Sequence, residues 1–148
     1  MAESLEYRYD KFVFRVPRGL RYKADDLWVR LEDDRAVVGV TDFMQQRSGD
    51  AAFVELVAEG THLSAGEALG QLETIKATVT LNSPVAGTVA ARNEELEMEP
   101  ERVNQDPYGG GWLVTLSLDD PAQVDGLLTD AAYLELLAQK VAAEGAKL

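Results

Sequence analysis

The stretch Gln71-Leu72-Glu73-Thr74-Ile75-Lys76-Ala77-Thr78-Val79-Thr80 decides how this chain is read. Strand-like residues stand on both sides of Thr74–Ala77, so the segment reads as a hairpin with its turn over those four residues. Neither glycine nor asparagine occupies the turn, which selects a type I geometry, the form that tolerates most residues. Such a tip projects the Lys76 side chain into water from a support that does not flex. A modifiable amine needs both properties, access for an enzyme and a fixed base. An ordinary solvated lysine fits the same geometry, and hairpin geometry alone favours that plainer reading. Lys76 is nonetheless the only lysine between Lys23 and Lys140.

Outward from this hairpin the chain is a series of short strands. Leu27–Leu31, Arg35–Val40 and Ala52–Leu56 are strand-like runs, separated by Glu32-Asp33-Asp34 and Ser48-Gly49-Asp50. Further short strands fill Gly66–Val89, and Trp112–Leu118 alternates as one more. Upstream, Tyr7, Tyr9, Phe12, Phe14 and Val16 alternate approximately and end in Pro17-Arg18-Gly19. Helices are few. Thr41 or Asp42 is placed to cap a turn through Phe43–Gln46, and Asn93–Leu96 and Pro100–Val103 read as single turns. Asp119-Asp120-Pro121 and Thr129-Asp130 are successive helix starts, and Tyr133, Leu134, Leu137 and Val141 follow at helical spacing. The expected class is mainly β: a small β-sandwich or flattened β-barrel with short helices and a C-terminal helix. The expected division is an N-terminal arm over 1–21, a domain over 22–128, and a helix over 129–148 packed on that domain.

Composition limits the chemistry. The 148 residues suffice for one domain and its core. There is no cysteine, which excludes disulfides, thiolate metal sites and thiol nucleophiles supplied by the polypeptide. The formal charge of −12 disfavours nucleic acid and favours partners with basic faces. Residues 8–30 reverse that sign, with seven basic residues against three acidic ones. No apolar run is long enough to span a membrane, and no secretory segment is evident, so a cytoplasmic address is expected.

Reactive groups are scarce, and no enzyme is expected. His62 is the only histidine, and a surface or cap role is favoured over that of a general base. The acidic run Glu94–Glu101 lacks the spaced ligands and central glycine of a calcium loop, so it reads as a solvated helix end. Pro107-Tyr108-Gly109-Gly110-Gly111 lacks a phosphate-loop lysine and reads as a tight connection into the Trp112 strand. Trp28, Trp112, Phe53 and Tyr133 read as core packing.

Gly66–Ala77, followed by Ser83-Pro84-Val85-Ala86-Gly87, resembles the lipoyl-lysine hairpin of lipoyl carrier domains. More narrowly, the chain resembles the glycine cleavage system H-protein family in several ordered blocks. These are Trp28-Val29-Arg30, Val38–Phe43, Gly49-Asp50, Phe53–Leu56, Val103–Gly109 and Gly111-Trp112-Leu113. The resemblance runs from about residue 22 to 138. It implies a flattened β-barrel of two sheets carrying lipoate in amide linkage on Lys76, with Glu73 read by the lipoylating enzyme (a lipoate ligase or lipoyl transferase). It also implies structural glycines at Gly66 and Gly87, which help present the hairpin to that enzyme. Ile75 and Ala77 stand where biotin carriers usually have methionine, which favours lipoate. The grafted arm, on the order of 14 Å long from ordinary bond lengths, does the carrying, and tethering raises its local concentration in each partner.

The sequence departs from the glycine cleavage pattern in places. Asp26-Leu27 stands before Trp28 where that family usually has His-Glu, Ala51-Ala52 replaces a bulkier pair, and Val57 replaces a common proline. These departures are similar to the H-like lipoate-binding proteins of the heterodisulfide-reductase-like sulfur-oxidation system. The expectation is therefore a carrier of sulfur intermediates for that sulfur-oxidising complex. The alternative is a glycine cleavage H protein carrying an aminomethyl group among glycine decarboxylase, aminomethyltransferase and dihydrolipoyl dehydrogenase. A second alternative is an unmodified docking module, against which the joint presence of Glu73 and Lys76 argues.

Overall fold

The computed structural model describes residues 3–145. Eleven strands pair antiparallel in three sheets. The largest has the order β3-β4-β5-β11-β10-β7, from Arg21–Lys23, Leu27–Glu32, Arg35–Val40, Val114–Leu118, Gly87–Arg92 and His62–Leu63. The second, β6-β8-β9, comes from Ala51–Leu56, Ala68–Thr74 and Thr78–Asn82. These are the two sheets that the resemblance implies. Val29, Val38, Val89, Val114 and Leu116 of the first meet Val54, Leu72 and Leu81 of the second in one core of aliphatic side chains and Met44. Each large aliphatic buried there contributes about 1.5–3 kcal/mol of transfer free energy.

The third sheet is a hairpin of β1 (Ser4–Tyr9) and β2 (Phe12–Pro17). The approximate alternation over Tyr7–Val16 is thus two strands rather than one. Asp10 turns them with φ of +52°, a conformation that aspartate tolerates better than most residues. Phe14 and Val16 are fully buried in a second core with Tyr22, Trp28, Phe43, Tyr133, Leu137 and Val141.

Among the described residues four α-helices accompany the sheets: α1 (Asp42–Ser48), α2 (Glu95–Met98), α3 (Arg102–Gln105) and α4 (Asp130–Glu144). Thr41 caps α1 by accepting from the Met44 amide, and Thr129 caps α4 in the same way from Ala132. The Asp119-Asp120-Pro121 signal produces a 3₁₀ turn over Pro121–Gly126, capped by Asp120. Tyr133, Leu137 and Val141 form the buried face of α4, which packs on β1, β2 and β3.

Asp26 joins this helix to the rest of the protein. Its carboxylate is buried and accepts from the Tyr133 hydroxyl at 2.8 Å and from Lys140 Nζ at 2.9 Å. Arg47 of α1 stands 3.3 Å away on the other side, and its guanidinium also reaches Glu144 at 3.6 Å. One carboxylate therefore fastens α4 to α1. Burying that charge is tolerable only because two cations and a hydroxyl surround it.

Candidate functional site

The β8–β9 hairpin places Lys76 as its sequence predicts, between Thr74, the last residue of β8, and Thr78, the first of β9. Its tip is closed by a side chain. Thr74 Oγ1 accepts from the amides of Lys76 at 3.3 Å and Ala77 at 3.1 Å, and the Thr74 amide donates to the Ala77 carbonyl at 2.8 Å. None of the tip residues has a positive φ. The tip is thus held by its own threonine and makes no use of a glycine.

Lys76 is exposed, but its stem is supported. A Cβ placed on Gly49 would lie 3.3 Å from Lys76 Cε and 3.7 Å from Cγ, so the methylenes run across the Gly49 backbone. Gly49 ends α1 with φ of +89° and ψ of −170°, a region that essentially only glycine occupies. Asn104 of α3 holds this support in place. Its Nδ2 donates to the Gly49 carbonyl at 2.9 Å and to Gln45 Oε1 at 3.1 Å, while its Oδ1 accepts from the Ala51 amide at 2.8 Å.

Glu73 is exposed on β8, opposite Thr78 on one side and Phe53 on the other. Among the described residues no ion pair reaches its carboxylate. Phe53 is 46% exposed; it is not a core residue, because strand alternation puts it on the same outer face as Glu55 while Val54 between them points in. Ile75, beside the lysine, is 83% exposed. The tip therefore presents an amine, a carboxylate and two apolar side chains to solvent.

Gly66 and Gly87 lie ten and eleven residues from Lys76 along the chain, at the root of the hairpin. Gly66 has φ of +93°, and its amide donates to the Ser83 carbonyl at 2.7 Å. A Cβ on Gly87 would fall 2.6 Å from the Ser117 carbonyl oxygen. Both are glycine for backbone reasons.

The remaining candidates stand apart from this tip. His62 Nε2 lies 2.7 Å from Asp119 Oδ2 in a half-exposed pair on the larger sheet. Arginines are threaded through the acidic run: Arg92 faces Glu97, and Arg102 faces Glu95 and Glu99. Pro107–Gly111 is the tight connection expected, with the Pro107 carbonyl accepting from the buried Trp28 indole at 3.0 Å. Two residues that support the site, Gly49 and Asn104, are not marked as site residues by the sequence reading. Gly49 and Asn104 lie inside the ordered blocks quoted above, which is the one signal that marked them.

A family model described as "Glycine cleavage H-protein" matches residues 20–140. The chain is 49% identical over 120 residues to a probable glycine cleavage system H protein of Haloarcula marismortui, covering 81% of this chain and 94% of that one. It is 44% identical over 121 residues to the glycine cleavage system H protein of Salinibacter ruber, covering 82% and 98%. A crystal structure of a glycine cleavage system H protein from Mycobacterium marinum matches with a TM-score of 0.75 at 30% identity, covering 84% of this chain and 98% of that one.

Proposed function

Because this chain belongs to the glycine cleavage H-protein family, we propose that it is a lipoyl carrier modified on Lys76 and working in glycine cleavage. It is a non-catalytic component, and its own residues build a mount. The observation that carries the reading is an exposed lysine on a threonine-closed tip, in a chain of this family. Lipoate amide-linked to Lys76 would supply a dithiolane able to exchange electrons and an aminomethyl group among glycine decarboxylase, aminomethyltransferase and dihydrolipoyl dehydrogenase.

Each residue of the tip has a task in this reading. Thr74 fixes the turn that presents the amine. Gly49 leaves room for the lysine stem, and Asn104 keeps Gly49 in position. Glu73 is the carboxylate that a lipoate ligase or lipoyl transferase reads, with Phe53 and Ile75 giving that enzyme apolar contact. Gly66 and Gly87 act by shaping the hairpin's root. The expected cytoplasmic address goes with this assignment.

The glycine cleavage pathway, an alternative when the sequence is read alone, now takes precedence over sulfur oxidation. The relatives named above are all glycine cleavage H proteins. One of the departures that favoured sulfur oxidation also has a structural explanation, since Asp26 anchors Lys140, Arg47 and Tyr133. Its contacts hold α4 to α1.

Intact-mass measurement after incubation with a lipoate ligase and lipoate is expected to show one lipoyl amide, absent from Lys76→Arg. Glycine turnover with the decarboxylase and aminomethyltransferase is expected only from the modified wild type. Addition elsewhere, or none, would refute the Lys76 assignment; modified protein that supports no glycine turnover would refute the pathway.

A further inference from the structure

Three of the five arginines in the basic stretch 8–30 are gathered by the fold. Arg15 and Arg18, from the N-terminal hairpin and the turn after it, and Arg30 of β4 line an open cleft of about 260 Å³ whose walls include Pro17, Leu20 and Tyr108. On a chain of formal charge −12 this cleft reverses the local sign. Arg15 has no carboxylate within ion-pair distance among the described residues, and Arg18 has only the exposed Glu3 at 3.7 Å. Arg30 lies over the Trp28 ring and 2.7 Å from Glu32, an exposed pair. Exposed pairs of this kind are worth about 0–1 kcal/mol, so an incoming carboxylate displaces them at little cost. Asp106 also lines the cleft, and its Oδ2 is taken by the Gly110 amide at 2.8 Å.

The cleft is preformed. The Asp42 carboxylate accepts from the Arg15 amide at 2.8 Å, and the Tyr108 hydroxyl donates to the Arg15 carbonyl at 2.7 Å. Arg15 and Arg18 precede residue 20, where the family match begins, whereas Arg30 and Tyr108 lie inside it. The hairpin therefore adds a surface to the family's domain.

Position selects the occupant. Tyr108 accepts from the Asp42 amide at the start of α1, and Gly49, under the Lys76 stem, ends the same helix. Seven residues at ~1.5 Å each separate the two by about 10 Å. A standard interface covers about 800 Å² per partner, a disc of roughly 16 Å radius. A protein engaging Lys76 thus reaches the cleft in the same footprint.

We propose that this cleft docks an acidic segment of a partner protein, which sets its carboxylates against Arg15 and Arg18 while Lys76 is engaged. The choice of a protein partner rests on the carrier reading; the preference of the cleft for an anion does not. The full chain without lipoate, titrated with an end-capped tetraglutamate peptide, tests this by amide NMR. Saturable shifts are expected around Arg15, Arg18, Arg30 and Tyr108, with affinity falling roughly tenfold in Arg15→Gln/Arg18→Gln and falling further with added salt. Unchanged shifts elsewhere in the double variant report that its fold is kept. Equal affinity in that variant, no saturation, or phosphate binding more tightly than the peptide would overturn the proposal. Lys76 is unmodified throughout, so this outcome and that of the lipoylation test are independent.

Discussion

The β8–β9 and β1–β2 hairpins are both antiparallel pairs with tight tips, yet they rest on different cores. Beneath the lysine hairpin lie Leu69, Leu72 and Leu81, with other aliphatic side chains and Met44. Beneath the N-terminal hairpin lie Phe14 and Val16 against Tyr22, Tyr133 and Trp28, with the Asp26 ion cluster alongside. The first core contains nothing that titrates. The second is aromatic and partly ionic. A carrier tip that must keep one shape through repeated encounters stands on the part of the fold least sensitive to pH and salt.

Alkaline pH separates the two regions most strongly. Burial, reinforced by neighbouring negative charge, pushes the Tyr22, Tyr108 and Tyr133 hydroxyls well above the usual tyrosine range. The folded chain therefore keeps protons that the unfolded chain releases above pH ~10. Their stabilising contribution is complete below that pH and is lost as pH rises beyond it. At about 1.4 kcal/mol per pH unit per group, the loss is expected to approach about 4 kcal/mol at pH ~11. Urea unfolding at several pH values measures it, and hydrogen exchange is expected to show β1–β2 and α4 loosening before β8–β9. Simultaneous loosening would break the distinction between the cores.

Phe14→Ala is expected to cost about 3 kcal/mol or more, measured as a shift in the urea midpoint, while the folded fraction still accepts lipoate at Lys76. Asp26→Asn leaves Lys140 and Arg47 facing an uncharged group and is expected to cost about 3 kcal/mol; adding Lys140→Met to it is expected to recover part of that loss. Gly49→Ala is the smallest perturbation in volume. It forces a side chain into a glycine-only conformation against the Lys76 stem, at about 1–3 kcal/mol. Unlike the other changes it is expected to slow lipoylation of fully folded protein, which time-resolved intact mass reads directly.

The lysine hairpin was legible because its signals are local: strand-like flanks, a four-residue turn, and a lysine at the tip. The α4 helix was legible for the same reason, through Thr129 and the spacing of Tyr133, Leu137 and Val141. What supports these elements was not, because Gly49 meets Lys76 and Asp26 meets Lys140 only across the folded chain. The Asp10 turn escaped notice because Asp-Lys is not among the dipeptides that announce a hairpin, so two strands read as one alternating stretch. Phe53 reads as core by its residue type, whereas alternation with Val54 puts it on the outer face with Glu55. Asp26 misled in another way: a residue that replaces a family pattern invites a functional reading, and here its partners are structural.

The glycine beneath the lysine bears on what a swinging group can do. A tether rising from open ground samples a wide cone, whereas one leaning on a backbone ledge is barred from the directions the ledge fills. For the arm proposed on Lys76, fewer orientations at the root would mean a denser cloud of the reactive end in those that remain, and a higher effective concentration for a docked enzyme without a tighter grip on the carrier.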